Sequence, residues 1–119
     1  MTHDPSPEDL LPLQPAVFHI LVALADRDRH GYSIMQDVAA RTDNQLRLSP
    51  GTLYGSIKRM LVQGLIEELQ TAPDPEDDDD RRRYYRITRF GRRVAAADAA
   101  RLESVLKQAR AVGLVTGRG

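Results

Sequence analysis

The sequence predicts a mainly α-helical domain with a small β-wing, and three observations carry that reading. Four stretches place apolar residues at helical spacing. The third of them, residues 50–63, is bracketed by Ser49-Pro50 at its start and Gly64 at its end, a good N-cap with proline in the first turn and a helix stop. Residues 65–71 and 81–88 then read as two strands separated by a loop that prolines break. Two helices, a third helix, strand, loop, basic strand and a last helix are the order of a winged helix-turn-helix followed by a C-terminal helix.

Each element has a local reason. Residues 1–12 hold three prolines and little apolar content and read as a disordered arm. From Pro15 a helix places Val17, Ile20, Leu21 and Leu24 on one face, with His19 beside it as a half-buried surface residue. Asp26-Arg27-Asp28-Arg29 reads as a polar turn. A second helix starts at Gly31 or Tyr32, turns Ile34, Met35, Val38 and Ala39 inward, and ends at Thr42-Asp43-Asn44. Leu46-Arg47-Leu48 suits a short strand. In the third helix Leu53, Ile57, Met60 and Leu61 make an apolar face. Thr52, Gly55, Ser56, Arg59 and Gln63 make the opposite one, which is small near its start, polar throughout and free of acids. A helix that lies against DNA needs such a face.

In the second wing strand Arg83, Tyr85 and Ile87 alternate with Arg82, Tyr84, Arg86 and Thr88. Thr88 is placed to cap the last helix, which runs to about Val112. Its Ala95, Ala99, Leu102, Leu106 and Ala109 are spaced four, three, four, three, and Val105 and Val112 widen the stripe. The first three helices and the wing already make a compact unit, so this alanine-rich stripe is expected to dimerise rather than dock on its own subunit.

Three ordered motifs make the reading specific. His30-Gly31-Tyr32 opens the second helix. Leu48-Ser49-Pro50-Gly51-Thr52-Leu53-Tyr54 opens the third. Arg83-Tyr84-Tyr85-Arg86-Ile87-Thr88, with Gly91, closes the wing and starts the last helix. Over residues 13–112 the chain resembles the PadR family of bacterial transcriptional regulators. It departs from the family at Gly55, where proline is usual, and in a long acidic wing tip. The resemblance implies residues 13–88 as the DNA-binding domain, 89–112 as the dimerisation helix and 113–119 as a flexible tail. It implies a homodimeric repressor on a pseudo-palindromic operator. Some members respond to phenolic acids or to drugs held between subunits, so a hydrophobic or phenolic effector is a further expectation, its lining drawn from the first and last helices.

Phosphate contacts are expected from Tyr32, Ser49, Lys58, Arg81, Arg82 and Arg83, joined by the backbone N–H groups at the start of the third helix. Base edges are expected to be read by Thr52, Tyr54, Ser56 and Arg59; arginine can take guanine bidentately and threonine can touch a thymine methyl. Partial burial against the second helix is the competing reading for Tyr54, and a solvated surface charge the competing one for Arg59.

Composition narrows the alternatives. The formal net charge is zero, but six of the 17 acids lie in residues 74–80, which leaves 11 acids against 17 basic residues elsewhere. Fifteen of those 17 are arginine, the better partner for phosphate and guanine. The acidic run should repel DNA. A solvated loop tip, an internal competitor that pairs with Arg81-Arg82-Arg83, and a calcium site are its three readings, and the last lacks the alternating ligands and glycine turn of an EF-hand. There is no cysteine and so no disulfide framework or thiol chemistry. His3, His19 and His30 have no metal-ligand spacing, Ser49 has no base at a supportive spacing, and no glycine loop cradles phosphate. An enzyme is therefore not expected, nor a cofactor. No apolar run nears the roughly 18 residues of a membrane span and no signal peptide opens the chain, which makes cytoplasm the default. The alternative function is a winged-helix module that binds protein rather than specific DNA.

Overall fold

The computed structural model describes residues 6–70 and 83–115. Among these residues four α-helices and three short strands follow one another as α1 (Pro15–Asp26), β1 (Arg29–His30), α2 (Gly31–Arg41), α3 (Pro50–Val62), β2 (Ile66–Glu68), β3 (Tyr84–Ile87) and α4 (Arg89–Ala111). The strands form one antiparallel sheet in the order β1-β3-β2. The fold is mainly helical with a small β-wing, as the sequence predicts.

α1 is the hub. Val17, Ile20, Leu21, Ala23 and Leu24 are buried on it, and it packs against α2, α3, β3 and α4. Ile34 and Val38 of α2, Leu53, Ile57 and Met60 of α3, and Leu65, Ile66 and Ile87 of the wing close the core around it. Burying this surface supplies most of the drive to fold, at roughly 25 cal/mol for each Å² of apolar area removed from water.

The helix ends follow the local chemistry. α3 stops at Gly64, which has φ 75°. The Gly64 N–H reaches the Leu61 carbonyl and the Leu65 N–H the Met60 carbonyl, at 3.2 and 2.9 Å, a Schellman closure that glycine enters without steric cost. α2 closes in the same way through Asp43 and Asn44, both with positive φ. Thr88 caps α4: its hydroxyl accepts from the Gly91 N–H at 2.9 Å and donates to the Gly64 carbonyl at 2.6 Å. One side chain thus ties the start of α4 to the end of α3. Gly91 lets the two approach this closely, because a Cβ at that position would overlap the Leu65 carbonyl oxygen.

Three expectations need correction. The N-terminal arm is not wholly disordered: Pro7–Leu10 form a 3-10 turn against α4, Pro7 is buried, and Leu10, Leu11 and Leu13 pack on the core. The prolines and acids of residues 1–12 obscured a short apolar run with a helix face to cover. Leu46-Arg47-Leu48 is not a strand; Leu48 is a buried core plug. The third strand is instead β1, inside the stretch read as a polar turn and a helix start. β1 pairs Arg29 with Tyr85 and His30 with Tyr84. Two polar residues carry no strand pattern of their own, and only the neighbouring β3 makes them one.

β3 also breaks its expected alternation, since Tyr84 and Tyr85 are both buried. Tyr85 enters the core, while the Tyr84 ring meets the His30 ring edge-on at 5.3 Å between centroids. β1 covers what would otherwise be a solvent face. Pairing on the other side sets Ile66 opposite Ile87, Glu67 opposite Arg86 and Glu68 opposite Tyr85.

Candidate nucleic-acid interface

The residues expected to meet DNA centre on α3. Its first turn holds no acid. Ser49 Oγ accepts from the Thr52 N–H at 3.1 Å and lies 3.1 Å from Thr52 Oγ1, to which it donates. Both hydroxyls are therefore fixed at the positive end of the helix dipole, where anions are favoured. At 3.6 residues per turn, Leu53, Ile57 and Met60 point into the core, and the outward face falls on Gly51, Thr52, Gly55, Lys58, Arg59 and Val62, all exposed. No ion pair to a described acid occupies Lys58 or Arg59.

The other expected contact residues divide. Tyr32, in the first turn of α2, is exposed. Tyr54 is 50% exposed, yet its ring lies against α2: a Cβ on Gly31 would overlap the Tyr54 hydroxyl and ring. Tyr54 thus joins the starts of the two helices as well as facing out, so partial burial against the second helix, its competing reading from the sequence, is what the structure has. Ser56 is corrected: it is 1% exposed and cannot touch a base. It lies three residues from Leu53 and four from Met60, and so shares their side of the helix. Its polarity and its spacing from Thr52 and Arg59 had placed it on the outer face. Val62, 84% exposed, stands on that face instead and was missed.

In the wing, Arg83 is exposed, with Nε 3.7 Å from Glu68 Oε1, a loose surface pair. Arg81, Arg82 and the acidic run 74–80 lie outside the described residues. Burial raises the Tyr85 phenol above its ordinary pKa, so this residue is a neutral core group beside the interface.

α4 shows a different surface. Gly91, Val94 and Asp98 are its buried residues, and Asp98 Oδ1 is held by Arg101 Nε at 2.7 Å. Of the expected dimer seam, Ala95 and Ala109 are half-buried, while Ala99, Leu102, Val105, Leu106 and Val112 are exposed. An open groove of about 270 Å³ runs between α1 and α4, lined by Phe18, Leu21, Val22 and Ala25 on one side and Arg92, Ala95, Ala96 and Ala99 on the other, with Ile87 between them. Among the described residues no group of acids and histidines could hold a metal, and no helix is long and apolar enough to cross a membrane.

The model of the PadR-like family of transcriptional regulators matches residues 20–97. The chain belongs to the PadR family. PadR proteins are transcription regulators that bind DNA, not enzymes. A transcriptional regulator of Mycobacterium tuberculosis is 33% identical over 90 residues, covering 76% of this chain and 78% of that one. An uncharacterised protein of Lysinibacillus sphaericus is 34% identical over 73 residues, 61% of this chain and 64% of its own length, so the match spans less than two thirds of that relative. Among solved structures, a transcriptional regulator from Clostridium thermocellum superposes with a TM-score of 0.68 at 26% identity, covering 80% of this chain and 86% of that one. A PadR family regulator from Clostridium difficile gives 0.69 at 23% identity over 83% and 98%, a likeness of fold.

Proposed function

We propose that this PadR regulator is a sequence-specific repressor that binds a pseudo-palindromic operator as a homodimer and is released by an apolar or phenolic small molecule. The observation that carries the DNA part is the outward face of α3: an acid-free first turn, fixed hydroxyls at Ser49 and Thr52, and Lys58 and Arg59 without an ion pair among the described residues, on a helix that buries Leu53, Ile57 and Met60 on its other side while Leu61, expected with them, is 37% exposed. Tyr32, Ser49, Lys58 and Arg81–Arg83 contact phosphates in this reading. Thr52, Tyr54 and Arg59 meet base edges; Ser56, being buried, is no longer in the set. Arg59 is suited to a guanine edge.

The dimer rests on the exposed stripe of Leu102, Val105 and Leu106, apolar surface that a monomer would leave in water. Two α3 helices related by a two-fold axis would read half-sites about one DNA turn, or a multiple, apart. The effector rests on the groove between α1 and α4, whose wall includes the seam residues Ala95 and Ala99, so a molecule bound there would lie beside the second subunit.

Fluorescence anisotropy on DNA upstream of the protein's own gene, against a scrambled duplex and across salt, tests the reading. A preference of about a thousandfold for the native duplex at physiological salt is expected. Equal binding to both duplexes that disappears with salt would overturn specific regulation from that site, and absence of binding at low salt would leave a protein-interaction module as the better account.

A further inference from the structure

α2 packs on α1 and buries Ile34 and Val38 in the core. Apolar attraction of this kind is non-directional, and side-chain packing restricts the crossing of two helices only to broad classes with a scatter of roughly 15–20°. A cluster of charges beside them is directional. Arg29 sits in β1 with its side chain 12% exposed. Its Nε donates to the Ala23 carbonyl near the end of α1 at 3.0 Å. Nη1 donates to Ser33 Oγ in the first turn of α2 at 3.2 Å. Nη2 lies 2.9 Å from Asp26 Oδ2 at the end of α1 and 3.0 Å from Asp37 Oδ1 in the middle of α2. The backbone of the same residue pairs with Tyr85 of the wing.

One planar guanidinium thus reaches two points on α1 and two on α2, from a strand that belongs to the wing. A lysine ammonium, a single point with three rotatable donors, cannot span these acceptors. Arg41 closes the outside of the cluster, 2.6 Å from Asp37 and 3.2 Å from Asp26, but it is more exposed than Arg29. The start of α2 in turn bears on α3, because the Tyr54 ring rests against Gly31.

We propose that Arg29 is a positioning residue for DNA recognition: it sets the angle of α2 against α1 and the wing, and through the Gly31–Tyr54 contact the position of α3, without touching DNA. The inference rests on the DNA-binding reading above. Base readout needs side chains held to a fraction of an ångström, whereas attraction to phosphate survives small displacements. A loosened Arg29 therefore costs sequence discrimination first.

The test selects duplexes from a random library with the wild-type protein. Binding of the enriched duplex and of a scrambled one is then measured for wild type, Arg29→Lys, Asp37→Asn and the outer control Arg41→Lys, each at a temperature where circular dichroism shows the variant fully folded. Arg29→Lys keeps the net charge. It is expected to lower affinity for the enriched duplex by about tenfold or more, with scrambled-duplex binding and its salt slope unchanged. Asp37→Asn breaks the same tie from the α2 side and is expected to narrow the ratio of specific to non-specific affinity in the same direction, so the proposal stays testable should the lysine variant fold poorly. Arg41→Lys is expected to bind within about twofold of wild type. Folded Arg29→Lys or Asp37→Asn protein with a wild-type ratio would overturn the positioning role while leaving DNA binding intact. So would an equal loss on both duplexes. A wild-type protein that enriches no sequence would overturn the DNA reading itself, and this proposal with it.

Discussion

α3 and the far half of α4 are both amphipathic helices, and they meet opposite fates. In α3 the apolar residues Leu53, Ile57 and Met60 are at most 2% exposed, and the polar face looks outward. In α4 the apolar residues Leu102, Val105 and Leu106 are 41–49% exposed, and no residue beyond Asp98 is buried. The periodicity of the two is alike. α3 follows α2 after the connection 42–49 and lies directly on α1, whereas α4 is 23 residues long, about 35 Å at 1.5 Å each, and outruns the domain after its first turns. A hydrophobic stripe thus says that a helix has a face to cover, and nothing about what covers it.

The contrast can be broken in four ways, taken from the largest expected effect to the smallest. Leu53→Ala empties a fully packed site and is expected to cost about 2–5 kcal/mol of folding stability in urea titration. The same truncation at Leu106 should leave the folded monomer nearly as stable, and equal losses at the two sites would contradict the difference in burial. Leu102→Glu combined with Leu106→Glu tests what covers α4. Sedimentation at micromolar concentration should show monomers with wild-type helix content, because a two-fold seam would set the new charges near their own copies. Dimers that persist would move the interface elsewhere.

Arg59→Ala addresses the polar face of α3. A loss of about 1–3 kcal/mol at one half-site position, with relaxed base preference in a selection experiment, is expected. An unchanged preference would remove Arg59 from base readout. Ser49→Ala removes the α3 cap and is expected to lower stability by about 1 kcal/mol, read as a small shift in thermal midpoint. A wild-type midpoint would mean that water replaces the cap without loss.

Local chemistry made much of the interface legible. The Ser49-Pro50 start, the Gly64 stop and the Thr88 cap are each decided within a few residues, and all stand where the sequence predicts them. Ser56 was misread because polarity is a poor guide at the flank of a buried stripe, where a small hydroxyl is tolerated. The Tyr54–Gly31 contact joins residues 23 apart in the chain; burial of Tyr54 against the second helix was one of its two readings, but nothing local named Gly31 as the partner. Pro7–Leu10 and β1 were misread for a shared reason: each takes its form from a neighbour distant in sequence, α4 in one case and β3 in the other.

The amino-acid sequence alone determined the helix periods, the helix ends at Ser49, Gly64 and Thr88, the order of the four helices and the two wing strands, and the PadR membership, because these depend on interactions over one or two turns and on motifs of fixed spacing. Only the tertiary structure decided which side of each helix is covered, that a two-residue strand widens the wing, that an arginine read as part of a turn ties α1, α2 and β3 together, and that the apolar face of the far half of α4 is not covered by the described residues of its own chain. Those outcomes depend on which surfaces meet, and a linear pattern records the face but not the partner.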